Sequence, residues 1–66
     1  MHSSDAAELS SIATAIEELI ERITAMAKTY VDTPREDISI RLYNVERGLR
    51  QAERSLRVAQ RDLPSG

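Results

Sequence analysis

The chain has 66 residues, 30% of them charged, with a formal net charge of −2, one histidine and no cysteine. That length allows one small domain. The missing cysteine excludes disulfide staples, thiolate metal sites and a cysteine nucleophile.

The first element starts after Met1–Ser4, which reads as a frayed end with Ser4 or Asp5 as N-cap. From there Leu9, Ile12, Ile16, Leu19, Ile23, Met26 and Tyr30 alternate spacings of three and four. With Leu9 placed at a, this is an unbroken a/d heptad stripe, and it predicts a helix over about 5–31. Ala6, Ala13, Ile20 and Ala27 lie beside the stripe at e. The apolar face is therefore wider than a two-stranded seam needs, which points to more than one neighbour.

Asp32-Thr33-Pro34-Arg35-Glu36 divides the chain. Thr33 is placed to be an N-cap, with Glu36 reaching back to its N–H as in a capping box. Pro34 suits the first helical position and disfavours helix at Thr33. Glu36 and Asp37 complement the positive end of a helix dipole. These rules agree on a turn at 32–34, and so short a connection makes the two helices antiparallel neighbours.

The second helix is expected over about 34–62, followed by a short tail, 63–66. Its stripe is Ile38, Leu42, Val45, Leu49, Ala52, Leu56, Ala59 and Leu63, again spaced by fours and threes. It is narrow, because the e and g positions are mostly polar. Gly48 falls at g in mid-helix, at a cost of about 1 kcal/mol relative to alanine; it marks either a backbone contact at a helix crossing or a tolerated glycine. Pro64-Ser65-Gly66 stops the helix.

Two rods in contact leave one side of every a/d residue wet, and no disulfide or metal makes up the deficit. The expected architecture is thus all-α: one domain, 1–66, an antiparallel two-helix hairpin that associates as a homodimeric, antiparallel four-helix bundle. Its core and interface are Leu9, Ile12, Ile16, Leu19, Ile20, Ile23, Met26, Tyr30, Ile38, Leu42, Val45, Leu49, Ala52, Leu56 and Ala59. How the two hairpins orient stays open. The same physics admits helices from a second protein chain in place of the second copy.

Little in the sequence carries chemistry. His2 is the lone histidine and sits at the terminus. Glu17, Glu18 and Glu21 fall at b, c and f, on the outer face of the first helix, which reads as a solvated charge run rather than a metal site. The serines have no partner base, and there is no glycine-rich phosphate loop. No enzyme activity and no cofactor are expected. No basic segment followed by an apolar run opens the chain, and no apolar run approaches membrane length, so a cytoplasmic protein without membrane contact is expected.

Charge is unevenly placed. Helix one carries Asp5, Glu8, Glu17, Glu18 and Glu21 against Arg22 and Lys28, whereas every base of helix two is arginine. Ile40, Tyr43, Arg47, Arg50, Arg54, Arg57 and Arg61 occupy its f and b positions, opposite the core stripe. Glu46–Arg50 and Glu53–Arg57 are favourable i, i+4 pairs, while Arg47, Arg54 and Arg61 have none. This second face reads as a candidate partner-binding surface, since arginine meets phosphates and carboxylates bidentately. The plainer reading, and the weightier, is a solvated outer face written in arginine-rich codons, with Ile40 and Tyr43 covering the end of the hairpin.

The outline is similar to the repressor-of-primer proteins, small hairpins that pair into four-helix bundles and bind RNA; the similarity is one of architecture, and no motif carries it. Val45-Glu46-Arg47-Gly48 resembles the phenylalanine-led segment in the second helix of exonuclease VII small subunits, with valine in the leading place. The expected function is a non-enzymatic protein–protein interaction module: a small dimeric helical adaptor, small subunit or regulator. The alternative is a nucleic-acid-binding hairpin dimer that uses the arginine face, and the negative net charge weighs against it.

Overall fold

The computed structural model describes residues 2–64, with side chains described from Ser4 onward. The sequence readings of the His2 and Ser3 side chains, of Met1 and of the Ser65-Gly66 tail lie outside what is described. Two helices form an antiparallel hairpin: α1, His2–Tyr30, and α2, Glu36–Asp62. The hairpin is a rod of 54 × 14 × 10 Å. Its radius of gyration is 15.5 Å, against about 11 Å for a compact chain of this length.

The helix ends depart from the sequence expectation in detail. α1 is already helical at His2, so Ser4 and Asp5 lie inside the first turn rather than capping it. It ends at Tyr30, and Asp32 takes a left-handed φ of 61°. That is the helix-terminating conformation usually given to glycine; aspartate is among the few other residues that tolerate it. The turn covers residues 31–35 and α2 begins at Glu36, so Pro34 precedes the helix rather than occupying its first position.

The capping box is displaced for a visible reason. The Thr33 N–H is already taken, donating to the Tyr30 carbonyl at 3.3 Å. Glu36 therefore reaches one residue further and accepts from the Asp32 N–H at 3.2 Å. The Thr33 hydroxyl donates to the Tyr30 carbonyl at 2.7 Å and accepts the Arg35 N–H at 3.2 Å. Thr33 thus ties the end of α1 to the entry of α2, and that entry is tightened by i+3 bonds from Glu36 to Thr33 and Ile38 to Arg35.

The helices meet through a and e positions of both, not through a and d. Ala13, Ile20 and Ala27, all at e, are buried, and among the described residues no large side chain is fully buried. Across from them, Ser39 is buried at 3% exposure, its hydroxyl satisfied by the Glu36 carbonyl at 2.8 Å. Counted from Thr33, Ala27 and Ser39 are equidistant in sequence, as are Ile20 and Glu46, and Ala13 and Glu53. Small side chains at e let the rods approach, and the a residues Leu9, Ile16, Ile23, Leu42, Leu49 and Leu56 close the seam half-buried.

Gly48 has nothing within 4 Å of where a Cβ would stand. Within the hairpin there is no helix crossing at Gly48. No helix among the described residues is long and apolar enough to cross a membrane.

Candidate interaction surfaces

Rotating the seam from a/d to a/e sorts the side chains onto two opposite faces. Around an α-helix the d position lies about a quarter turn from the a/e edge, on the side away from b, and g lies about 60° further round the same way. Because α2 runs opposite to α1, the same rotation takes both d/g edges to one face of the hairpin. On that face the d residues stand in water: Ile12 is 39% exposed, Leu19 42%, Met26 53% and Val45 47%. Ala52 and Ala59 continue the row, exposed. Of the core expected from sequence, these six residues are therefore left exposed by the hairpin, Tyr30 and Ile38 are half-buried beside the turn, and Ile20 joins the seam.

The b positions lie on the opposite face, which is polar. Arg57 donates to Glu17 across the seam and to Glu53 on its own helix at 3.2 Å. Arg50 donates to Glu46 at 2.7 Å. Glu46 and Glu53 sit at e, with side chains only 18% and 16% exposed. Each half-buried carboxylate is thus held by the arginine one turn on, which keeps it hydrogen-bonded where it borders the apolar seam.

The arginine face expected from sequence is therefore divided. Arg50 and Arg57 curl back onto seam carboxylates, and Tyr43, earlier in the same b row, is half-buried. Glu17 is not on the outer face; it borders the seam and meets Arg57 in the same chain. Ile40, Arg47, Arg54 and Arg61, at f, point outward and are exposed. Among the described residues, Arg47, Arg54 and Arg61 make no ion pair, although Arg54 donates to the Gln51 side chain at 2.9 Å. A shallow groove near the open end of the hairpin is lined by Ala6, Arg54, Arg57, Val58, Gln60 and Arg61.

Sequence spacing alone did not mark Glu17 as a cross-helix partner, because the heptad assignment centred the seam on a/d. The buried small residues at e were the available signal: alanine at three of four positions is where a second rod can come close.

At the turn, Arg35 holds Asp37 in a two-pronged pair, Nε to Oδ1 and Nη2 to Oδ2, both 3.1 Å. The hydrogen bond from Arg35 is the main cause holding the Asp37 carboxyl below its ordinary pKa, and the same bond raises that of Arg35. Among the described residues no three His, Cys, Asp or Glu side chains gather as a metal site requires.

No protein-family model, no curated protein and no solved structure matches the chain.

Proposed function

We propose that this chain is a non-enzymatic protein–protein interaction module whose first partner is a second copy of itself, two hairpins packing as an antiparallel four-helix bundle that serves as a small adaptor, subunit or regulator. The observation that supports this reading is the exposed d row: large apolar side chains repeat at heptad spacing along one face of a hairpin whose buried hydrophobic residues, among those described, are Ala13, Ile20 and Ala27. The area agrees. The hairpin exposes 4977 Å², against about 4,200 Å² for a compact protein of this mass. Two copies covering that excess would remove about 1,500 Å² from solvent, the size of an ordinary stable interface.

Light scattering with circular dichroism on the same fractions tests it. A helical species of about 15 kDa, twice the 7.4 kDa chain, supports the reading. A poorly helical monomer overturns the dimer and directs the apolar face to another protein's helices.

A second reading, nucleic-acid binding, is favoured by Arg47, Arg54 and Arg61, exposed and free of ion pairs on one face. It requires a salt-sensitive mobility shift with RNA or DNA at ~50 mM salt that Arg47→Glu/Arg54→Glu abolishes. An absence of shift removes it.

A further inference from the structure

We propose that the second copy docks on the d/g face with its turn at the opposite end, about a twofold axis passing near Ala15 and Ala52. This rests on the dimer reading above and adds the geometry of the interface. The argument starts from the charges that rim the apolar face at g. Toward the turn they are Arg22 and Arg41; toward the open end they are Glu8 and Asp62. All four are exposed, and among the described residues none has an ion-pair partner in its own chain.

The rim is therefore positive at one end and negative at the other on both helices. Two copies placed turn beside turn would set like charge on like. Head to tail, each positive end meets the other copy's negative end.

The spacing fixes the level of the axis. On α1, Glu8 and Arg22 are equidistant from Ala15, so antiparallel pairing of α1 with its copy sets Glu8 opposite Arg22. On α2, Arg41 and Asp62 stand almost symmetrically about Ala52, so self-pairing sets them opposite each other. Ala15 and Ala52 lie at nearly the same distance from Thr33 and so at one level of the rod. One axis serves both helices. It passes between small side chains, with Gly48 facing Ser55 close by, so α2 can approach its copy most closely there. Every neighbouring pair of helices is then antiparallel, as dipoles favour.

Helix dipoles do not explain two of these charges. Arg41 lies in the N-terminal part of α2 and Asp62 is its last residue. Each is at the end that its sign disfavours. Arg41 already lies one turn from Asp37, whose carboxyl it helps to hold ionised; an opposing charge from another chain gives Asp62 a partner and Arg41 a second one.

The chain has no cysteine, so Ala52→Cys and Ala15→Cys each introduce one thiol. Near a twofold axis between small residues two such thiols reach disulfide distance. Each variant should give a covalent dimer within minutes of adding diamide under native conditions, with unchanged helicity and none in urea; Ile40→Cys, off the face, should not. Separately, Asp62→Arg should weaken association about tenfold by setting like charges together, and Arg41→Asp/Asp62→Arg should restore it to within about threefold. A dimer by light scattering whose Ala52→Cys and Ala15→Cys forms do not outpace Ile40→Cys would overturn the head-to-tail arrangement and leave the dimer standing. Unchanged or tighter association of Asp62→Arg, the sign that the dipole alone gives, would also overturn it. A monomer by light scattering would overturn both.

Discussion

Leu19 and Ile20 are adjacent, carry side chains of equal carbon number, and meet opposite fates in the hairpin: Ile20 is 5% exposed and Leu19 42%. Replacing Ile20 by alanine removes three carbons from an almost fully buried side chain. At about 0.8 kcal/mol per methylene, the transfer loss is about 2.4 kcal/mol. The additional penalty for an enclosed cavity should be small. Ile20 lines open grooves beside the seam, so water or neighbouring side chains can occupy the space left. The expected loss is therefore near the bottom of the range for such substitutions. Leu19→Ala in a solitary hairpin should lose about 1.4 kcal/mol, the same transfer value scaled by its burial. With its face covered by a second chain it should lose at least as much as Ile20→Ala, and its urea midpoint should rise with protein concentration. Urea titrations followed by far-UV circular dichroism over a hundredfold span of protein concentration separate the cases. A loss below about 1 kcal/mol for Ile20→Ala would refute the a/e seam. A concentration-independent loss near 1.4 kcal/mol for Leu19→Ala would refute the covered d face.

Arg57→Gln should destabilise by about 0.5–1 kcal/mol, because it removes the link between Glu53 and Glu17 in a well-solvated pair and leaves Glu53 half-buried; adding Glu53→Gln should recover most of the loss, and a double-mutant cycle in urea would expose any failure to do so. Thr24→Val should raise stability by about 1 kcal/mol, since the Thr24 hydroxyl oxygen is shut from solvent without a hydrogen-bond partner; a destabilised variant in thermal melts would mean that the hydroxyl is satisfied in solution. Asp32→Gly should be neutral or stabilising by up to about 1 kcal/mol and Asp32→Val destabilising by more than about 1 kcal/mol, because φ is 61°; equal melting temperatures for the two would contradict a left-handed residue 32. Asp37 has a folded pKa depressed by its hydrogen bond to Arg35. Its contribution is therefore complete above the ordinary aspartate range and is lost as pH falls through the depressed value. Asp37→Asn should flatten stability against pH in that acid window and leave it unchanged near neutrality; a carboxyl NMR titration showing no depression of Asp37 would dispose of this.

The hairpin itself was legible from a few residues. Two heptad stripes separated by Thr33-Pro34 leave little besides antiparallel helices, and backbone rules at that turn placed its limits within two residues. The cap went astray because spacing reports which residues can reach one another, not which N–H is already occupied; the Tyr30 carbonyl had taken the Thr33 N–H. The division of the arginine face has a related reason. A heptad assigns angles around one helix, while the side of the helix that meets its neighbour depends on residue size at the contact. Alanines at e drew the seam round by part of a turn, and that rotation brought Arg50, Arg57 and Glu17 to its border.

The same rotation explains why the a/d stripe was nonetheless continuous in sequence. A helix that needed only its hairpin partner would require apolar residues at a and e, and its d positions would be free to turn polar. Here d is apolar through Ile12, Leu19, Met26, Val45, Ala52 and Ala59, although the hairpin does not cover it. The e positions of α2 are Ser39, Glu46, Glu53 and Gln60, polar although they border the seam. On α2 the sequence therefore keeps small or apolar residues at d, away from the intrachain contact, and turns polar at e, which borders it, while the e residues of α1, Ala6, Ala13, Ile20 and Ala27, stay apolar. Such a pattern suits the second neighbour proposed above, at about a right angle to the first, as for a helix in a four-membered bundle.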